Sequence, residues 1–375
     1  MPWIVAALCS AAAQAQSHRG SVVEHGALQL TLTLASAPAP PEVSRLAQPV
    51  RPRLPQRGAA SGSPDNRPMT SSPPTAFAPL PGIFEPSAIQ QLPDGRFLVV
   101  EDEQSRPLSL LAISATGGVA STALTPGWLQ MFSDFWKLDD LEGLARDSAG
   151  QVYAITSHSR DGEGDDKKAR EKLVRFRIVG DSVEEPAAAD GLKRALTAAH
   201  PVLAAAARVA DVKQDGGLNI EGLAISPDAQ RLLIGFRSPL QEGHAIIASV
   251  ENVSAVFDDD AKPKVSPRLD LLDLDGNGIR GMSWVNSLSG YLVIGGPASR
   301  AQSPFSLWFW SGQHGAPARR VTVPGLPDFG HAEGVCPAVI DGVERIVIVS
   351  DDGNRKQHKP AHFLLLDPGQ LQIAP

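Results

Sequence analysis

One short phrase returns five times along the chain, and each copy carries a charged side chain near its start. The charged residues are Glu85, Glu142, Glu221, Arg280 and Glu333. If the copies are equivalent parts of a radially repeated fold, these side chains face one another around a common axis. Carboxylates that crowd a site of low dielectric constant must take up protons or find a compensating charge. Arg280 neutralises about one charge, whereas Ca²⁺, which takes several oxygen ligands, would neutralise more.

This reasoning gives a set of candidate metal ligands and a set of candidate acid–base groups. The predicted metal ligands are Glu85, Asp140, Glu142, Glu221, Glu333 and Asp351. The predicted catalytic residues are Glu142, Glu221 and His158, which are side chains able to transfer protons. A purely structural reading stays open, in which each glutamate accepts backbone N–H bonds from the neighbouring repeat and fixes the ring.

Arginines provide candidate sites for an anionic ligand. The loops that follow the second apolar run of each repeat are dense in charge, and they should cluster at one end of the molecule. Guanidinium groups bind carboxylates and phosphates with two parallel hydrogen bonds. The predicted substrate-binding residues are Arg160, Arg237, Arg280 and Arg355.

Two motifs resemble sites for other chemistry, but each lacks a feature that such a site requires. Gly276–Gly281 matches the dinucleotide-binding pattern, but a strand is predicted directly after it where that pattern needs a helix, so no nucleotide cofactor is expected. Asp273–Gly278 resembles the start of a calcium loop, but its twelfth position is Trp284 and not the required glutamate.

The elements that must position these residues are short strands. Each phrase is followed by a turn and a strongly apolar run, and the turns are rich in Gly, Pro, Asp and Ser. Four antiparallel strands recurring around an axis describe a β-propeller. We therefore predict an all-β fold with a single propeller of five blades, with six blades as the alternative.

Two irregularities refine this prediction. The second and third phrases are unusually far apart, and the Ala-rich stretch 187–210 between them favours helix interrupted at Pro201. It predicts a small helical insertion after the second blade. Too few residues follow the fifth phrase for four strands, so the segment Thr75–Gly82 is expected to complete the last blade and remove a free edge.

The N-terminal region differs in composition from the rest of the chain. We assign residues 1–74 to a signal-like segment followed by a Pro-, Ser- and Arg-rich disordered arm, and residues 75–375 to the propeller. A non-native start before Met69 is the alternative. A genuine signal peptide would imply a periplasmic or secreted protein, and a start at Met69 a cytoplasmic one.

Charge and hydropathy restrict the partners. The formal net charge of −7 argues against nucleic acid, which needs a basic patch, and is compatible with cation binding. No apolar run reaches the length of a transmembrane helix. We expect a monomer that binds a small or anionic ligand.

The repeat phrases together resemble a known bacterial family. The phrases are Asp140–Ala145, Asn219–Ser226, Gly278–Gly281 and Ala332–Val335, and they resemble the propeller family called domain of unknown function 3616. Asp140–Ala145 is also similar, more loosely, to the family named for the esterase-like activity of phytase. That similarity implies calcium-assisted hydrolysis of esters or phosphoesters. Asp140 and Glu142 carry its motif, Glu221 and Glu333 match in part, and Arg280 departs from it.

Two functional hypotheses follow. The first is a ligand-binding or scaffolding role at the funnel where the charged loops meet the axis. The second is a metal-assisted phosphoesterase or esterase, in which ring acids hold Ca²⁺ or another divalent cation that activates water, while arginines hold the substrate anion.

Overall fold

The computed structural model describes residues 75–102, 107–126, 133–300 and 303–375. The segment and arm predicted for residues 1–74 lie outside this part of the chain. Within it, the strands are β1 (Ala78–Leu80), β2 (Pro86–Gln91), β3 (Phe97–Glu101), β4 (Leu108–Ile113), β5 (Val119–Ala123), β6 (Leu141–Arg146), β7 (Val152–Thr156), β8 (Leu173–Val179), β9 (Ser182–Ala189), β10 (Asn219–Ile225), β11 (Leu232–Ser238), β12 (Ala245–Val250), β13 (Asp270–Leu272), β14 (Gly278–Val285), β15 (Gly290–Gly296), β16 (Ser306–Trp310), β17 (Arg319–Thr322), β18 (Ala332–Ile340), β19 (Val343–Ser350), β20 (Ala361–Leu366) and β21 (Gln372–Ile373).

These strands form five antiparallel sheets, which are the five blades of a β-propeller. Blades one to three are β2–β5, β6–β9 and β10–β13, blade four contains β14–β17 with β21, and blade five contains β18–β20 with β1. The innermost strands β2, β6, β10, β14 and β18 contact one another around the axis. The predicted all-β fold with five blades is confirmed.

Both ends of the described chain join the outer edges of the last two blades. β1 pairs antiparallel with β20, with Ala78 opposite Phe363, which confirms that an N-terminal segment completes blade five. β21 pairs with β17 and gives blade four a fifth strand, which is not among the predicted elements. Each pairing satisfies backbone groups that an open edge would leave unpaired.

The predicted helical insertion after blade two is present. It consists of α1 (Leu192–Ala199), α2 (Pro201–Ala206) and α3 (Val212–Asp215). Leu192, Leu196 and Leu203 are buried in the same apolar cluster as residues of blades two and three. Proline at the first position of α2 separates the first two helices, because its ring lacks the N–H that a continuous helix needs.

A fourth helix, α4 (Val253–Asp258), lies between the third and fourth strands of blade three. Its buried residues Val253, Val256 and Phe257 join the same cluster. Every helix in the described ranges is too short or too polar to serve as a membrane span.

Each innermost strand contains a β-bulge close to its start. The pairing register with the next strand skips one residue in every blade, and these residues are Ser87, Glu142, Glu221, Arg280 and Glu333. A bulge re-aims the side chain of the extra residue. We call these five residues the bulge ring.

Candidate functional site

The bulge ring corrects one detail of how the five repeat phrases align with one another. Ser87 and not Glu85 occupies the position equivalent to Glu142, because the register shift in β2 falls between Pro86 and Ala88. The alignment of Glu85 with the other four residues was therefore wrong by two positions. Glu85 corresponds instead to Asp140, and its role as a metal ligand stays a prediction.

Glycine follows the bulge in four of the five copies because the neighbouring blade comes very close. A Cβ atom on Gly281 would lie 1.9 Å from the carbonyl oxygen of Glu333, and one on Gly334 would lie 2.9 Å from the Cα of Ala88. No larger side chain fits such contacts without moving the backbone. The repeated Glu-Gly phrase thus combines a side chain aimed at the axis with a residue that lets the inner strands meet.

Arg280 binds two members of the ring. Its Nε lies 2.8 Å from Oε2 of Glu221, and its Nη2 is paired with Oε1 of Glu333. The other oxygen of Glu221 accepts hydrogen bonds from Arg237 at 3.0 Å and Asn219 at 2.9 Å. These contacts join blades three, four and five through side chains, rather than through the backbone N–H bonds that the structural reading predicts.

Burial sets the electrostatics of this cluster. Arg280 is 7% exposed, and its guanidinium lies 5.6 Å from the ring centre of Phe305. Burial lowers the pKa of Arg280, and the charge of Glu221 opposes this shift. The guanidinium and the two carboxylates stabilise one another, and removal of Arg280 leaves buried negative charge with less compensation, because each group has lost its water.

Glu142 differs from the other ring glutamates. It is 8% exposed and lines the funnel described below, and its side chain makes no hydrogen bond or ion pair with any residue that the structure describes. Burial raises its pKa well above the usual 4.5, and the negative charges of Glu221, Asp140 and Asp102 raise it further. An acid in this state accepts either a proton or an external cation.

The charged side chains surround a cavity of about 460 Å³ at the end of the channel where the inner strands begin. We call it the axial funnel. The bulge ring forms its floor. Its wall includes Asp102 and Asp351, which directly follow second strands, and Arg237, which lies next to the last residue of β11. Burial raises the pKa of Asp351 to about 6, and the charge of Arg280 opposes this shift. A funnel of this size accommodates a small molecule.

Asp140 lines the funnel but already has partners. Its Oδ2 accepts hydrogen bonds from the hydroxyl groups of Ser157 and Ser159 and lies 3.0 Å from Nη1 of Arg170. Its backbone is left-handed, with φ of 63°, a conformation that aspartate tolerates better than most residues. Asp140 is therefore held in place by its own blade.

His158 is buried and is not part of the funnel lining. Its Nδ1 lies 3.0 Å from the carbonyl oxygen of Thr156, and burial lowers its pKa to about 4. A neutral imidazole in this position would not contact a ligand bound in the funnel. The structure thus does not bring His158 together with Glu142 and Glu221.

The four predicted anion-binding arginines have different positions relative to the funnel. Arg237 and Arg280 line the funnel beside Glu221. Arg160 lies at the rim, where it donates to the carbonyl oxygens of Ala207 and Gly164. Arg355 pairs with Glu101 at 3.0 Å and is not part of the funnel lining.

Two further rim features were missed as site residues. Arg300 lines the funnel and forms no ion pair with any residue in the described ranges. The carboxylates of Asp161, Glu163 and Asp165 lie within 4.8 Å of one another, and they are the one group of three acids, histidines or cysteines in the described ranges that could hold a metal ion. Lys167 lies 2.6 Å from Asp161 and lowers the pKa of that carboxyl group to about 2. The alternating acids of this loop are visible in the sequence.

Fold and site together define the class of protein: a five-bladed β-propeller with a charged funnel at one end of its axis. The model of the family described as protein of unknown function (DUF3616) matches residues 182–367. The family resemblance inferred from the repeat phrases is thereby confirmed, whereas the looser similarity to the esterase-like family stays an expectation. The comparison with curated proteins gives no match.

Three solved structures align with most of this chain at low sequence identity. An oxidoreductase described as a glucose dehydrogenase from Thermus thermophilus is 17% identical, with a TM-score of 0.40, over 78% of this chain and 100% of that one. The PQQ-bound aldose sugar dehydrogenase from Streptomyces coelicolor is 14% identical, with a TM-score of 0.39, over 79% and 99%. The major allergen Mala s 1 from Malassezia sympodialis is 12% identical, with a TM-score of 0.38, over 76% and 78%. At these scores no activity or cofactor is carried over to this chain.

Proposed function

We propose that this protein is a ligand-binding propeller whose axial funnel holds a small molecule with a cationic group against Glu142. The observation that carries the proposal is the state of that residue: a buried carboxylate at the floor of the funnel with no partner in the described part of the chain. A buried carboxyl group without a partner must hold a proton or an opposite charge, so a ligand that supplies a cationic group can take the place of the proton on Glu142.

The distribution of charge supports a ligand of this kind. Asp102 and Asp140 lie near enough to Glu142 to raise its pKa, so this side of the funnel favours positive charge. On the floor, Arg280 is occupied by Glu221 and Glu333, and it adds little attraction for an anion. The cationic group of the ligand therefore belongs on the side of blades one and two.

A thermal melting experiment tests this proposal. A cation that binds only the folded state raises the free energy of unfolding, by about 1–2 kcal/mol at ~tenfold excess over its Kd. This gain raises the melting temperature by roughly 3 °C. We expect the diamine putrescine to give such a shift in the wild type and none in Glu142→Gln. Glu163→Gln, which alters the exposed rim, is the matched control and should keep the shift. A putrescine effect that survives in Glu142→Gln contradicts the proposal.

Metal-assisted hydrolysis of an ester or phosphoester is the second candidate. It is favoured by the acid cluster at Asp161, Glu163 and Asp165, because two of these residues line the same funnel as Asp351. A divalent cation there would polarise a substrate, and Asp351 would serve as a base that ionises near neutral pH.

The two candidates give different results with the same variants. Stabilisation by Ca²⁺ or Mn²⁺ that is lost in Glu163→Gln but kept in Glu142→Gln assigns the metal to the rim cluster. Turnover of p-nitrophenyl phosphate or acetate that needs the metal and is lost in Asp351→Asn would support hydrolysis. If both substrates react only at the uncatalysed background rate, with or without metal, the hydrolysis candidate is ruled out.

A further inference from the structure

The axial channel has a second cavity at the end where the inner strands finish. Its volume is about 590 Å³, and we call it the lower cavity. Apolar side chains of Leu144, Leu223, Met282 and Val335 surround only a 10 Å³ gap between it and the funnel. The lower cavity is therefore a separate compartment, independent of the ligand proposed for Glu142.

One charged group in this cavity is left without an opposite charge. Arg146 lies at the end of β6, four residues after Glu142, and lines the cavity. Its guanidinium donates to the carbonyl oxygen of Asp147 at 3.2 Å, its buried Nε has no hydrogen-bond partner, and no carboxylate of the described residues forms an ion pair with it. A partly buried arginine with spare donors is a binding group for a carboxylate or a similar anion.

The acidic groups nearby are already hydrogen-bonded elsewhere. Asp147 accepts from the backbone of Gln151 at 2.9 Å and from the hydroxyl of Tyr153 at 3.3 Å. Glu344 accepts from the hydroxyl of Ser287 at 2.6 Å. None of these three hydrogen bonds involves Arg146, so its positive charge remains available to a ligand.

Part of the remaining wall suits an apolar ligand body, beside polar side chains such as Gln90 and Ser226. Trp284 occupies in β14 the position that Arg146 occupies in β6, four residues after the bulge. Its indole N–H donates to Asn286 at 2.7 Å and its ring packs edge-on against Tyr291, so its orientation is fixed. Leu144 and Leu223 also line the cavity. A rigid aromatic ring beside aliphatic side chains favours a flat apolar group.

We propose that the lower cavity is a second binding site, which takes a small organic carboxylate with an apolar or aromatic body. The carboxylate pairs with the guanidinium of Arg146, and the body packs between Trp284 and the apolar floor of the channel.

Calorimetric titration with three probes tests this proposal. Benzoate combines the charge and the ring, acetate has only the charge, and benzamide has only the ring. We expect benzoate to bind at least about tenfold more tightly than either of the others, because benzamide lacks the charge that pairs with Arg146 and acetate lacks the ring that packs beside Trp284. Absence of saturable benzoate binding, or equal affinity for benzamide, overturns the proposal.

Variants locate the binding site. Arg146→Gln should weaken benzoate binding roughly tenfold or more. Ser283→Asp adds a negative charge to the same cavity wall without removing an apolar contact, so it should also weaken binding if Arg146→Gln proves too unstable to assay. Arg320→Gln, an exposed arginine paired with Asp275, is the control and should bind benzoate like the wild type. Unchanged benzoate affinity in Ser283→Asp or Arg146→Gln excludes the lower cavity.

Discussion

Replacing Arg280 with glutamine is expected to lower the free energy of unfolding by about 3–5 kcal/mol, as is usual when one partner of a buried ion pair is removed. The substitution leaves Glu221 and Glu333 facing each other at the axis, both less than one-tenth exposed, without the guanidinium that now lies between them. Glutamine is too short to reach both carboxylates and carries no charge. Arg237 still donates to Glu221, so Glu333 bears the larger part of the loss.

Chemical denaturation of the wild type and Arg280→Gln measures this effect. Arg320→Gln is the control, because the Arg320–Asp275 pair is exposed and such pairs contribute about 0–1 kcal/mol. A triple variant with Glu221→Gln, Arg280→Gln and Glu333→Gln removes all three charges and should recover part of the lost stability. A loss below about 1 kcal/mol for Arg280→Gln would mean that the cluster does not hold the blades together.

Replacing Glu142 with glutamine is expected to make the protein more stable above neutral pH and to flatten the pH dependence of its stability. The folded-state pKa of Glu142 lies well above its unfolded value of 4.5, so the folded state binds the proton more tightly. The stability from this group is fully present below the unfolded pKa and is lost as pH rises through the folded pKa. Each such group changes the free energy of unfolding by at most about 1.4 kcal/mol per pH unit.

Denaturation between about pH 4 and pH 8 tests this expectation. The free energy of unfolding of the wild type should fall with rising pH relative to that of Glu142→Gln, because other groups, such as His158 with its lowered pKa, contribute equally to both proteins. Asp351 has the same sign, with a folded pKa of about 6 against 3.8, so the double variant with Asp351→Asn should lose less stability with rising pH than Glu142→Gln alone. Identical slopes in wild type and Glu142→Gln would show that Glu142 has another partner when folded.

The fold could be predicted from sequence because its signals are local and repeated. Turn residues, alternating apolar runs and the glycine after most of the bulges recur along the chain, and each reflects a constraint within a few residues. The helical insertion was equally visible, since Ala-rich composition and Pro201 act locally.

The pairing register of β2 and the strand added to blade four were harder to predict from the sequence. Glu85 and Ser87 differ by two positions, and only the pairing of β2 with β3 decides which of them takes the bulge. The pairing of β21 with β17 involves two strands far apart in sequence, and no periodic signal marks it. Long-range pairing depends on which edges remain open after the blades assemble.

The amino-acid sequence by itself determined most of the residues that surround the axis: a ring of acids interrupted by one arginine, with glycines that let the blades approach. Tertiary structure decided what each of them does. Arg280 reaches Glu221 and Glu333 but forms no pair with Glu142, and His158 is buried away from the funnel. The physical reason is that composition fixes the sum of charges, whereas pairing and desolvation depend on distances of a few ångströms that only the packed blades define.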